Sequence, residues 1–169
     1  MFYQEIHKGN YNNGKPNLVD QFNQFSRNKD AHIFMLIYME GCRPCNLTRP
    51  EWGKMENILS KSKCKRENIA IISIDKDLFG KLKYIKNEPM SFPTIRYITN
   101  SGKTQENFED ADISSKDRTI NSFVEWIKLK SGENNITNNE VRKKKTNTKK
   151  RKKKRKTRRK PTRKRSTIA

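Results

Sequence analysis

Ile33-Phe34-Met35-Leu36-Ile37-Tyr38-Met39-Glu40-Gly41-Cys42-Arg43-Pro44-Cys45 decides how this chain is read. Its nearly continuous apolar run, Ala31 to Met39, is the pattern of a central strand buried on both faces. The run delivers two cysteines, three positions apart, to a proline. Pro44 has a fixed φ and no N–H, both tolerated in a first helical turn, so a helix is predicted to start near Arg43. The Cys42 sulfur then sits beside the helix's unpaired N–H groups and their partial positive charge, which favour the thiolate. Arg43 adds a full positive charge between the sulfurs.

Working outward, Arg43 to Lys61 reads as a long helix interrupted by Pro50, with Leu47, Trp52, Met55, Ile58 and Leu59 facing inward. Upstream, Leu18, Val19, Phe22 and Phe25 recur at three- and four-residue steps and predict a helix within Asn17 to Arg27. Residues 1–16 hold a short strand signal, Phe2 to Ile6, and a loop from Gly9 to Pro16; they form an arm or a short strand. Downstream, Ile69 to Ile74 is a second buried strand. A short helix follows from Asp75 to about Lys86, with Leu78, Leu82 and Ile85 on one side. Thr94 to Thr99 is a third strand, Asn100 to Lys103 a hairpin turn and Thr104 to Phe108 the return strand, although Gln105, Glu106 and Asn107 are poor strand formers. Ser114 or Ser115 is expected to cap a last helix with Ile120, Phe123, Val124 and Ile127 inward and Gly132 closing it. This order predicts an α/β domain over residues 17–132, a mixed central sheet with helices on both faces.

Strand, then Cys-x-Pro-Cys, then Pro50 five residues after the second cysteine, then Phe92-Pro93-Thr94: over roughly residues 17 to 131 this resembles the thioredoxin family. The resemblance implies the thioredoxin fold, dithiol–disulfide exchange on protein disulfides with Cys42 as nucleophile and Cys45 as resolving thiol, and a cis Pro93 shaping the substrate groove. It implies no cofactor and no metal. With its basic tail, the architecture resembles thioredoxin-like proteins of large DNA viruses more than a housekeeping thioredoxin. Two positions depart from the family pattern. Leu36 stands where an Asp or Glu six residues before the first cysteine would relay a proton, and Gly41 replaces the Trp that walls the substrate surface.

Read from the residues alone, the pair has three readings: exchange, half of a zinc site, or a vestigial pair on a binding scaffold. Zinc needs two further ligands, and Cys64, His7 and His32 are the only other Cys or His residues. Both histidines read as structural. Glu40 is either a surface proton acceptor for the pair or a solvated loop carboxylate. Cys64, in Lys61-Ser62-Lys63-Cys64-Lys65-Arg66, is either a regulatory or dimer-forming thiol activated by nearby cations or a helix-end residue without a role.

Charge is unevenly distributed. Of the formal net +21, the stretch from Glu133 onward carries eighteen Lys and Arg against two acids, leaving +5 on the rest. This basic stretch, residues 133–169, is expected to be a disordered arm, because like charges repel and no apolar period offsets the entropy of ordering. Its candidate polyanion-binding residues are Lys143, Lys144, Lys145, Lys149, Lys150, Arg151, Lys152, Lys153, Lys154, Arg155, Lys156, Arg158, Arg159, Lys160, Arg163, Lys164 and Arg165. No aromatic interleaves them, so base stacking is not indicated, and nucleic acid or another polyanion would be bound through its phosphates. A nuclear-import address, a membrane-surface tether or a solubilising arm shares this composition. No run of about twenty apolar residues spans a bilayer and Met1 to Asn13 has no secretory signal pattern. The expected setting is therefore intracellular, in cytoplasm or nucleus or carried in a virion, with the protein a monomer.

Overall fold

A computed structural model describes residues 2–11, 17–61 and 67–132. Cys64 and the basic stretch from 133 onward lie outside the described residues. In chain order the elements are β1 (Phe2–Ile6), α1 (Lys8–Tyr11), α2 (Leu18–Phe25), β2 (His32–Tyr38), α3 (Arg43–Lys61), β3 (Ile69–Asp75), α4 (Lys76–Phe79), β4 (Thr94–Thr99), β5 (Thr104–Asn107), a 3-10 turn (Phe108–Asp110) and α5 (Ile120–Ser131).

The strands form one sheet in the order β1-β3-β2-β4-β5. β3 runs parallel to both β1 and β2, with Leu36 opposite Ser73 and Tyr38 opposite Asp75. β4 is antiparallel to β2, and β5 to β4. Phe2–Ile6 pairs along its whole length with Ala70–Ile74, so the N-terminal segment is an edge strand rather than a free arm.

Alternation along the central strands divides the core into two layers. Phe34, Leu36, Ile69, Ile71 and Ile95 point to one face, where α3 adds Trp52, Met55 and Leu59 and α5 adds Phe123, Val124, Trp126 and Ile127. Ile33, Met35, Ile37, Ile72 and Ile74 point to the other, against Val19 and Phe22 of α2 and Leu78 and Phe79 of α4. The first layer is aromatic. Trp52 and Phe123 pack edge-to-face at 5.0 Å, and Phe108 and Phe34 each meet Trp126 in the same way at 5.1 Å. Each such pair adds about 0.5–1.5 kcal/mol beyond its buried area.

Five expectations need correction. The helix after β3 ends at Phe79 instead of continuing to Lys86. Leu82 and Ile85 are still buried, but Asn23 of α2 takes over the backbone there, accepting from Lys83 N–H (2.9 Å) and donating to the Lys81 carbonyl (3.2 Å). The last helix starts at Ile120, not after Ser114 or Ser115. Ser114 is instead tied to the flank of the helix, its N–H and hydroxyl both donating to Glu125 Oε1. The orphan N–H of Ile120 is satisfied by Glu51 Oε2 from α3 at 3.1 Å. Leu47, expected inward, is 71% exposed, while Thr48 is buried and donates its hydroxyl to the Pro44 carbonyl. Phe108 leaves the return strand and opens the 3-10 turn, which buries it completely. The Gly9–Pro16 loop also begins inside α1, a single turn.

The hairpin between β4 and β5 carries three consecutive positive φ values, at Asn100, Ser101 and Gly102. Gly102 is required there for a second reason as well. A Cβ at this position would lie 1.8 Å from the Tyr84 carbonyl oxygen.

Candidate active site

β2 carries the chain to the edge of the sheet and Gly41, at φ +75°, turns it into α3. The Cys42 carbonyl accepts the first bond of that helix from Asn46 N–H at 3.0 Å, which makes Cys42 the capping residue. Its sulfur therefore lies at the positive end of α3, and Cys45 N–H donates to it at 3.3 Å. Cys42 and Cys45 are joined as a disulfide with their Cα atoms 5.2 Å apart. The two sulfurs are not equivalent to solvent: Cys42 is half-buried, whereas Cys45 has no exposed surface. Arg43 and Pro44 between them are exposed.

The loop before β4 closes the site from the other side. The Phe92–Pro93 bond is cis, Pro93 is buried, and the Phe92 carbonyl oxygen lies 3.6 Å from Cys42 Sγ. In the reduced chain that carbonyl is placed to accept from the Cys42 thiol. The sequence motifs Cys-Arg-Pro-Cys and Phe-Pro-Thr, fifty residues apart, thus meet at one point.

Leu36 is fully buried in the cluster of Phe34, Trp52 and Ile95, so the position six residues before Cys42 offers no proton acceptor. Glu40 is committed elsewhere. It is exposed and accepts from Arg49 Nη1 at 3.2 Å, and among the described residues no hydrogen bond joins it to either sulfur.

Arg49 is the site-proximal residue that sequence reading passed over. It stands one helical turn after Cys45, with its guanidinium carbon 4.0 Å above the Tyr38 ring. Besides Glu40 it donates to Glu5 of β1 at 2.9 Å, bridging the loop before Cys42 to the sheet edge. Burial opposes its charge, but the bond to Glu5 and the neighbouring acids hold its pKa above the ordinary value. Below it, burial pushes the Tyr38 phenol up to about 12, and the hydroxyl has no hydrogen-bond partner among the described residues. The i to i+4 spacing from Cys45 was the available signal for Arg49; its partner Glu5 lies too far away in sequence to give one.

His7 and His32 both have local partners: His7 Nδ1 accepts from Gly9 N–H at 3.1 Å, and His32 Nδ1 lies 2.7 Å from the Tyr97 hydroxyl. Among the described residues no group of three or more His, Cys, Asp or Glu converges on one point, and no helix is long and apolar enough to cross a membrane.

No protein-family model and no curated protein sequence matches the chain. Solved structures do. The first two thioredoxin domains of Naumovozyma dairenensis Eps1p align with a TM-score of 0.52 and 18% identity, covering 70% of this chain and 41% of that one. The zinc-bound form of human ERp44 aligns with a TM-score of 0.50 and 12% identity, over 76% of this chain and 31% of that one. The first thioredoxin domain of mouse protein disulfide-isomerase A4 aligns at 0.47 and 21% identity, over 79% and 77%. The chain thus spans less than half of the first two matched structures. With the strand order, the Cys-x-x-Cys pair at a helix start and the adjoining Phe92–Pro93 loop, the first two of these likenesses establish that the domain has the thioredoxin fold.

Proposed function

We propose that the protein is a thiol–disulfide oxidoreductase acting on protein disulfides through Cys42 and Cys45. The observation that carries this reading is the asymmetry of the pair: one sulfur is accessible at a helix N-terminus beside the Phe92–Pro93 loop, and the other is sealed behind it. The Cys42 thiolate attacks one sulfur of a substrate disulfide, forming a mixed disulfide and expelling the other substrate sulfur as a thiolate. The Cys45 thiolate then attacks Cys42 Sγ, releasing the second substrate thiol and leaving the Cys42–Cys45 disulfide. The substrate gains two electrons and the chain loses two; an external dithiol must reduce the chain for another cycle. Pro93 and the Phe92 carbonyl border the path of the substrate backbone. Arg43 and the helix end stabilise the attacking thiolate, and Arg49 holds Glu40 and the loop before Cys42 in place.

The basic stretch completes the proposal. Its seventeen candidate residues from Lys143 to Arg165 bind polyanion phosphates without sequence preference and keep the redox domain near them. The protein works inside the cell, in cytoplasm or nucleus, or in a particle derived from it. One observation favours a rival reading, a scaffold whose main work is binding: the residue six positions before Cys42 is the fully buried Leu36, which supplies no carboxylate.

Equilibration of the full chain with glutathione buffers tests the proposal. A reversible Cys42–Cys45 couple near about −270 mV supports a reductase, and one near about −180 mV an oxidase or isomerase. If no intramolecular disulfide forms at any poise, the proposal is wrong. Cys42→Ser should abolish disulfide reduction while leaving polyanion binding intact; the scaffold reading requires function to survive that change and to be lost when the chain is cut after Gly132.

A further inference from the structure

Bordered by Pro93 and Thr94 lies a cleft of about 450 Å³ that holds a buried cation, Arg96, with no counter-ion among the described residues. Arg96, in the middle of β4 and opposite Asn107 on β5, is only 9% exposed. Its Nη1 donates to the Asn87 carbonyl, and this is its one hydrogen-bond partner among the described residues. Burial alone pushes its pKa down, with no carboxylate to offset it. A guanidinium has five donors and stays charged, so one backbone acceptor leaves most of its capacity unused. A desolvated cation in that state gains strongly from an arriving anion.

The other charges of the cleft do not fill that role. Glu109 is already paired with Arg118 at 2.7 Å. Glu88 is exposed, where water and salt screen it, and it reaches no cation among the described residues. Pro93 lines the cleft, while the carbonyl of the residue before it lies 3.6 Å from Cys42 Sγ. An extended segment whose cysteine meets Cys42 and whose backbone follows the loop advances about 3.3 Å per residue, so a side chain a few positions from that cysteine reaches the cleft.

We propose that Arg96 makes this cleft a carboxylate subsite, so that the exchange reaction prefers protein disulfides with an Asp or Glu at a fixed short distance from the attacked cysteine. The proposal rests on the Cys42/Cys45 exchange reading and adds a substrate class to it. Recognition is by one guanidinium–carboxylate pair in a partly desolvated wall, whose geometry selects position as well as charge. The fully exposed Met90 at the rim offers apolar contact to the flanking substrate residues.

The test uses the full chain and a set of synthetic disulfide-linked peptides of equal charge, with one Asp moved through each of the four positions on either side of the cysteine. Equal charge keeps any general attraction to the basic stretch the same for every peptide. The expected result is a rise in kcat/KM of about tenfold at one or two neighbouring positions, the lower end for a hydrogen bond to a charged group. Arg96→Gln should flatten that profile. Glu88→Gln, which alters only an exposed carboxylate, should sharpen it, and it keeps the test decisive if Arg96→Gln does not fold. A flat profile in the wild type with normal turnover overturns the subsite and leaves the exchange reading standing. If no peptide is turned over, the exchange reading fails. Anisotropy of the labelled peptides on the Cys42→Ser, Cys45→Ser chain then decides the subsite by itself, because position-independent binding refutes it.

Discussion

Replacing Leu36 with Asp introduces a carboxylate six residues before Cys42, and its cost can be worked out. Leu36 has no exposed surface and packs among Phe34, Trp52 and Ile95. Removing its buried alkyl group costs about 2–5 kcal/mol, as for other large-to-small core changes. The acid adds a second cost that depends on pH. A carboxyl buried there has its folded pKa raised above the unfolded value near 3.9, and each unit is worth 1.36 kcal/mol. Because the folded pKa is raised, the variant is at its best below the unfolded value and loses stability as pH rises toward the folded one. A shift of about three units removes a further ~4 kcal/mol between about pH 4 and pH 8. Leu36→Asn pays the packing cost without titrating. Urea unfolding of both oxidised variants across that range should give parallel baselines at low pH and a widening gap above it. The same two variants report on function: with Asp, the mixed disulfide between Cys42 and substrate should resolve faster than with Asn, because Cys45 gains a proton acceptor. A gap that does not change with pH, or equal mixed-disulfide lifetimes, would refute the claim that Leu36 is fully buried and slows the second step.

Cys45→Ser should trap the covalent complex with substrate, visible as a reducible adduct in non-reducing gels, while Cys42→Ser gives none; adducts formed equally by both variants would contradict the assignment of nucleophile. Phe123→Ala removes a ring wedged between Trp52 and Phe108 and should cost about 3–5 kcal/mol in chemical denaturation. Glu51 is held below its ordinary pKa of 4.5 by Lys54 first and by the Ile120 N–H as well. A lowered carboxyl pKa adds stability that is complete above the unfolded value and lost as pH falls below it, so melting temperature should drop below about pH 4.5, less steeply in Glu51→Gln. Gly102→Ala meets both a positive φ and the Tyr84 carbonyl and should destabilise by about 1–3 kcal/mol, with greater loss of amide protection in the β4–β5 hairpin than elsewhere.

The parts of the fold that could be read in the sequence were those set by local period. β2 and β3 are largely apolar runs, β4 is a short β-branched and aromatic run interrupted by Arg96, and α3 has a buried stripe at Thr48, Trp52, Met55 and Leu59. Leu47 is the more apolar residue, but the spacing and not the residue type decides which side chain is buried. Thr48 completes the stripe, and Leu47 lies about 100° around the helix from it. The misses at α4 and α5 have a different origin. Asn23 replaces helical hydrogen bonds around Lys81 and Lys83, and Glu51 supplies the first acceptor for Ile120, so in both places a side chain far away in sequence decides where a helix ends. The cysteine pair was legible because two local motifs announced it. Arg49 and Arg96 were not, since the meaning of each depends on what stands near it: Glu5 and Tyr38 for one, and for the other a backbone carbonyl where no described carboxylate is bonded.

Under the proposed exchange, with Cys42 attacking and Cys45 resolving, the arrangement treats the two steps unequally. Everything that activates the first thiol is present: the start of α3, the Cys45 N–H at 3.3 Å, Arg43, and the Phe92 carbonyl to orient it. What would activate the second is replaced by a buried leucine, while the Arg49 bridge turns the nearest loop carboxylate, Glu40, away from the sulfurs. A thiolate's attack rate follows its ionised fraction. A protein built this way should form mixed disulfides readily and resolve them slowly, spending much of its cycle covalently attached to substrate. Under those conditions contacts outside the pair contribute most, because they determine which disulfides are engaged long enough to be exchanged. Transient kinetics would show this as a fast burst of substrate thiol followed by a slower second release. Single-phase release at the same rate in wild type and Leu36→Asp would place the limiting step elsewhere.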